Sequence, residues 1–164
     1  MNRAERREAK KSAKRAGTGR RRALINRPML HEIHRVFAPI DALFAELRAG
    51  EVSAVQGEAV FQDQDGYHTA APALEGWVDL WEMLKREYRL QLNLAPLHVL
   101  ASMLRDGTLL TLDQVDAAYA VINSCRDLYR GMDVYQVKSF VRTQQVKIAM
   151  EDAGLIAEGG QHAG

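Results

Sequence analysis

The sequence predicts a mainly α-helical domain of four or five helices, with a small antiparallel β-meander inserted at about residues 52–70. Three observations lead to this fold class. From residue 29 onward, apolar residues recur at the three- and four-residue spacing of an amphipathic helix. Glycine, proline and capping residues divide that pattern into segments of helix length. One stretch instead combines β-branched and aromatic residues with turn residues, which is typical of short strands.

The first folded segment begins at Met29 and ends at Gly50. Its apolar stripe consists of Ile33, Phe37, Ile40, Phe44 and Leu47. Pro39 interrupts the stripe, because proline lacks the N–H that a helix interior needs. The pattern therefore fits either one kinked helix or two short ones.

The meander follows this helix. Its predicted strands are residues 52–55, 59–62 and 67–70. Turn residues separate them at 56–57 and at 63–66, where the sequence is Asp-Gln-Asp-Gly. Two hairpins are the simplest arrangement of three such strands.

Three or four further helices complete the predicted domain. Their start signals are Pro72, Pro96, the Thr111–Gln114 capping box and Asp133, and Gly107 and Gly131 are stop signals. The apolar stripes expected to face the core are Leu74, Trp77, Trp81, Leu84 and Tyr88; Leu97, Leu100, Ala101 and Leu104; Val115, Ala118, Ile122, Cys125 and Tyr129; and Val134, Val137, Val141 and Ile148. These stripes predict that helix packing supplies most of the core.

Charge divides the chain into an arm and a body. Residues 1–28 hold eleven Lys and Arg against two Glu, a net charge of +9, whereas the remainder carries −8. We therefore expect a basic arm at 1–28, a single globular domain at 29–153 and a loose tail at 154–164. Within the arm, residues 3–16 favour a helix, but like charges four residues apart oppose it. The arm is expected to be frayed when free and helical when bound.

The basic arm is the strongest candidate for a binding site, because clustered Lys and Arg bind phosphate backbones with release of counterions. The predicted nucleic-acid-binding residues are Arg3, Arg6, Arg7, Lys10, Lys11, Lys14, Arg15, Arg20, Arg21 and Arg22. The sequence does not indicate whether the arm binds DNA or RNA. The same charge could instead bind an acidic protein surface, or serve solubility alone.

A second basic surface is predicted between residues 126 and 147. Its members are Arg126, Arg130, Lys138, Arg142 and Lys147. An ordinary solvated helix face explains these residues without a binding role. Trp77 and Trp81 could stack on bases or fill a partner's pocket, but their spacing with Leu74 and Leu84 favours the core.

Candidate catalytic and metal-binding residues are few. His31 and His34 are three residues apart, whereas the helical zinc motif places its histidines four apart. The Asp-Gln-Asp-Gly segment lacks two of the ligands that a calcium loop needs, and a hairpin turn explains it. Cys125 lies in a core stripe, where a reactive thiolate is not expected. The sequence thus predicts no catalytic residue, no metal site and no cofactor.

The remaining features concern the compartment. Cys125 is the only cysteine, so no internal disulfide can form. The first residues lack the apolar run of a secretory signal, and no apolar stretch reaches the length of a membrane-spanning helix. We expect a cytoplasmic protein without a membrane contact.

The opening Met-Asn-Arg-Ala-Glu-Arg-Arg, followed by a short basic stretch, resembles the start of many small accessory proteins encoded by phages and prophages. The resemblance covers about fifteen residues. It implies a protein that binds nucleic acid, assists virion assembly or blocks a host enzyme.

Three hypotheses follow for the function. The first is a non-enzymatic protein whose arm contacts nucleic acid nonspecifically, while the body contacts a protein partner or a second copy. The second is an assembly or inhibitory protein whose acidic body engages a basic partner. The third is an enzyme whose site assembles from residues distant in the sequence.

Overall fold

A computed structural model describes residues 26–154, and the predicted basic arm up to residue 25 and the end of the tail lie outside the described residues. The described helices are α1 (Leu30–Ala49), α2 (Ala70–Tyr88), α3 (Ala95–Asp106), α4 (Leu112–Arg130) and α5 (Val134–Asp152). The strands are β1 (Ser53–Val55), β2 (Glu58–Asp63) and β3 (Gly66–Thr69). The predicted fold class, mainly α with a small β insertion, is confirmed.

Helix α1 is continuous across Pro39, so the one-helix alternative is the correct one. It ends at Gly50, which adopts the left-handed conformation with φ of 69° and donates its N–H to the last turn. Glycine fits there because it has no Cβ to clash. The helix buries Leu43 in addition to Ile33, Phe37, Ile40 and Phe44.

The strands form one antiparallel sheet in the order β1-β2-β3. Val60 pairs with Ser53 on one side and with Thr69 on the other. Val60 and Phe61 are the buried residues of β2. The sheet is therefore attached to the helices through its central strand.

The chain contains two compact units, of which the first is Pro28–Gly131. In this central unit, α1 packs against α4 and β2, α2 packs against α3 and β2, and α3 packs against α4. The largest fully buried side chains include Trp81, Phe37, Phe44 and Leu74. Its core is thus built by four helices and the middle strand of the sheet.

The second unit is described at residues 26–27 and 132–154. The predicted cap of α5 is present, because the Asp133 carboxylate accepts hydrogen bonds from the N–H groups of Tyr135 and Gln136. Asn26 also donates to Asp133, at 3.2 Å. Val134 and Val137 are buried, but Ile148 is 48% exposed, so the predicted apolar stripe of α5 is buried only near the helix start.

Candidate functional site

The ten residues predicted to bind nucleic acid all lie in the basic arm, outside the described residues. The structure thus places none of them, and this site stays a prediction from the sequence. The structure does describe the five members of the second basic surface. Their side chains differ in exposure and in ion pairing.

Two of those members, Arg126 and Arg130, lie on α4, four residues apart. Arg130 forms an exposed ion pair with Asp127, at 3.3 Å. Arg126 is different, because its side chain is only 16% exposed and its guanidinium is paired with the Asp41 carboxylate of α1. A phosphate that approaches Arg126 would have to displace that carboxylate.

The other three members lie on α5. Lys138 and Arg142 are separated by four residues, which is about one turn, so they share a side of the helix. Nine residues separate Lys138 from Lys147, which at about 3.6 residues per turn places them on opposite sides. Lys147 is also paired with Glu151, at 3.7 Å. All three basic residues of α5 are exposed, and Lys138 and Arg142 share one side of the helix.

The contact of Arg126 with Asp41 is part of a polar network between α1 and α4. The Tyr119 hydroxyl donates to the same Asp41 oxygen at 3.1 Å, and the Arg126 guanidinium lies 4.9 Å from the centre of the Phe37 ring. Burial, followed by the nearby Asp41 carboxylate, raises the pKa of Tyr119. Tyr119 is therefore a hydrogen-bond donor at neutral pH. The arrangement stabilises the packing of the two helices.

Phe37 also lies at the centre of an aromatic cluster. The ring of Trp77 is 4.9 Å away in an edge-to-face arrangement, and that of Tyr129 is 5.9 Å away. Trp77 in turn contacts Trp81, whose side chain is buried. Both tryptophans thus belong to the core side of α2, as their spacing indicates.

A groove with a volume of about 730 Å³ lies between α1 and the β2–β3 hairpin. Its α1 wall carries exposed His34 and Arg35 near one end and Glu46 near the other. Glu46 accepts a hydrogen bond from the N–H of Gln62 at 2.9 Å, which ties the helix to the end of β2. The sequence did not point to this groove, because its walls come from two segments whose packing no local pattern encodes.

Asp63 organises the hairpin wall of this groove. Its carboxylate, which is only 7% exposed, accepts hydrogen bonds from the N–H of Asp65 at 2.8 Å and from the His68 ring at 2.9 Å. Burial alone would raise the pKa of Asp63, but the hydrogen bonds from Asp65 and His68 together lower it below its usual value. The Asp-Gln-Asp-Gly segment is therefore a hairpin turn, as the sequence indicates.

The remaining candidates from the sequence, His31, His34 and Cys125, lie in different environments. His31 and His34 are exposed on α1, and nowhere in residues 26–154 do three His, Cys, Asp or Glu side chains come together to hold a metal ion. Cys125 is fully buried in α4, and burial raises the pKa of its thiol to about 12. A thiol with that pKa is protonated at neutral pH and is a poor nucleophile.

Comparisons of the chain with protein-family models, with curated proteins and with solved structures found no match. Within the described part of the chain, no helix combines the length and the apolar character that crossing a membrane requires.

Proposed function

We propose that this is a non-enzymatic binding protein of the cytoplasm, in which the basic arm contacts nucleic acid nonspecifically and the folded body contacts a protein partner or a second copy. The observation that carries the proposal is the separation of charge along the chain. Residues 1–28 carry +9, whereas Pro28–Gly131 holds eight Lys and Arg against fifteen Asp and Glu, a net charge of −7.

The ion pairs of the central unit support this division of roles. Four of its eight basic side chains are paired with carboxylates: Arg48 with Asp116, Arg105 with Glu75, Arg126 with Asp41 and Arg130 with Asp127. A surface of this composition repels phosphate. Nucleic-acid binding therefore falls to the basic arm, with the exposed basic residues of α5 as the second surface.

The expected chemistry is electrostatic. Each Lys or Arg that contacts a phosphate releases condensed counterions, so affinity falls steeply as salt rises. Contacts to phosphates hold a protein on the nucleic acid without reading the bases. Little preference for sequence, and binding to both DNA and RNA, are the expected results.

Fluorescence anisotropy with a labelled 20-base-pair DNA or a single-stranded RNA tests the proposal. Substitution of Arg20, Arg21 and Arg22 by Gln should lower affinity and reduce the slope of log affinity against log salt by up to about 2.7, since each phosphate contact contributes about 0.9 for duplex DNA. Deletion of residues 1–22 should remove most of the binding. Unchanged affinity in the deletion variant would show that the arm is not the binding site.

The matched control removes the same number of positive charges from a different part of the chain. Substitution of Lys138, Arg142 and Lys147 by Gln also removes three positive charges, but from α5. A small effect confines the site to the arm. An effect as large as that of the arm variant would add α5 to the nucleic-acid surface.

The negative charge of the central unit favours a second candidate function. In it, the protein is a phage-type assembly or host-enzyme inhibitory protein whose acidic body engages a basic partner site. Complementary charge would then set the association rate and the orientation of the complex. Recovery of one stoichiometric protein partner by a variant that lacks residues 1–22 favours this function over the first.

A further inference from the structure

The groove between α1 and the β2–β3 hairpin has dimensions that fit an extended peptide. Its α1 wall spans His34 to Glu46, which is about 18 Å at 1.5 Å per residue. Five residues of extended chain cover about the same distance. On this wall, Ala38 and Ala42 present only small side chains, so the backbone of a bound peptide can come close to the helix.

Hydrogen-bonding groups for a peptide backbone lie along both walls. Pro39 has no N–H, so the carbonyl of Arg35 lacks its usual helical donor four residues later. Both residues line the groove. On the opposite wall, the exposed amides of Gln62 and Gln64 can each donate and accept. A peptide main chain, which alternates N–H and C=O groups, matches this mixed set.

The charged residues of the groove indicate which side chains a bound peptide would carry. Among the described residues, the Asp65 carboxylate makes no hydrogen bond or ion pair, and it lies in the groove with Asp63 and Glu46. Arg35 supplies the opposite charge in the second turn of α1. Three carboxylates against one guanidinium make the groove acidic overall, and the hairpin turn is its most negative part. A basic side chain is therefore favoured beside Asp65.

We propose that this groove binds an extended segment of about five residues from a partner protein, with an Arg or Lys of that segment beside Asp65. The inference specifies the protein-facing part of the proposed function and rests on it, but it does not involve the basic arm. A nucleic acid is a poor occupant, because its phosphates would face the Asp63, Asp65 and Glu46 carboxylates.

The experiment is a titration of the ¹⁵N-labelled full-length protein with the capped peptide Gly-Ala-Arg-Ala-Arg-Gly, followed by NMR. Saturable shifts are expected at the amides of Ala38, Ala42 and Gln62–Asp65. The capped peptide Gly-Ala-Glu-Ala-Glu-Gly should cause none of them. Absence of saturable shifts at the groove with the Arg peptide overturns the proposal.

Two pairs of variants separate the groove from general charge attraction. Ala42→Leu fills the groove without changing the charge and should weaken binding at least about fivefold, the effect of roughly one lost buried contact. Ala45→Leu places the same side chain at an exposed position of α1 outside the groove, so it should bind like the wild type. Equal affinities of these two variants would overturn the proposal.

Asp65→Asn changes a charge within the groove and does not alter the packing, so it gives an answer even if Ala42→Leu fails to fold. It should weaken binding of the Arg peptide, whereas Asp113→Asn, on the exposed surface of α4, should not. Triple substitution of Arg20, Arg21 and Arg22 by Gln should leave peptide binding unchanged. Failure of the arm to bind nucleic acid and failure of the groove to bind peptide are thus observed separately.

Discussion

Asp41 illustrates how one carboxylate can serve several neighbours. It accepts from Tyr119 and from Arg126, whose guanidinium also lies over the Phe37 ring. The Nε atom of Arg126 is buried and has no hydrogen-bond partner, so Asp41 is the main compensation for this charge within the described part of the chain. For a pair that is at least partly buried, removing one partner costs more than replacing the charge with a well-packed apolar group.

This asymmetry gives a prediction at the residue scale. Asp41→Ala should lower the free energy of unfolding by about 1–3 kcal/mol, because it leaves the Arg126 charge half-buried without a partner. Arg126→Met should cost less, since Met can still pack on Phe37 and the Asp41 carboxylate keeps its bond to Tyr119. Urea denaturation of both variants measures the difference.

The control is Arg130→Met, which breaks an exposed ion pair and should change stability by less than about 0.5 kcal/mol. A larger loss for Arg126→Met than for Asp41→Ala would contradict the role assigned to Asp41. The affinity of Arg126→Met for nucleic acid is also informative. We expect it to match the wild type, because Asp41 already neutralises this guanidinium.

At the scale of elements, the β2–β3 hairpin shows how a turn depends on one carboxylate. Asp63 pairs with Gly66 across the turn and accepts hydrogen bonds from Asp65 and His68. Gly66 has a φ of 128°, a conformation that a residue with a Cβ rarely adopts. The turn is thus held by one carboxylate and one glycine.

The lowered pKa of Asp63 predicts how stability depends on pH. A carboxyl whose pKa is lower in the folded than in the unfolded state stabilises the fold above its unfolded value, about 3.9 for Asp. That stabilisation is lost as pH falls through the folded pKa. Asp63→Asn should therefore be less stable than the wild type at pH 7, with a difference that shrinks below about pH 4.

Urea denaturation at several pH values between 3 and 7 measures this difference. Gln64→Asn changes an uncharged side chain in the same turn, so its effect should be the same at every pH. A difference between wild type and Asp63→Asn that does not vary with pH would show that the Asp63 charge does not contribute to hairpin stability.

At the scale of the whole molecule, a net charge of +1 conceals two charged regions of opposite sign. The arm carries +9 and the central unit −7, whereas residues 134–152 add three basic and two acidic side chains. A chain of this kind responds to charged surfaces through local regions and not through its net charge.

Ion-exchange chromatography at pH 7.5 and low salt tests this property. The full-length protein should be retained by a cation exchanger through its arm and by an anion exchanger through its central unit. Substitution of Arg20, Arg21 and Arg22 by Gln should lower the salt needed for elution from the cation exchanger and leave retention on the anion exchanger at least as strong. Weaker retention on both resins would contradict separate charged surfaces.

The sequence by itself determined the helices, the meander and the separation of charge. Periodicity and caps are local, so the Thr111 capping box and the Asp133 cap both form as the sequence predicts. The net charge of a segment likewise follows directly from its amino-acid composition. Burial of Leu43 was not predicted, because α1 is covered by β2 as well as by α4 and therefore buries a wider face than one stripe.

Only the tertiary structure decided which distant residues meet. Asp41 and Arg126 are 85 positions apart, and no local pattern in the sequence indicates that they pair. The groove likewise lies where β2 packs against α1, and Glu46 of α1 accepts a hydrogen bond from the N–H of Gln62 there. Such contacts depend on how segments pack, and packing is set by the whole core and not by any one segment of the sequence.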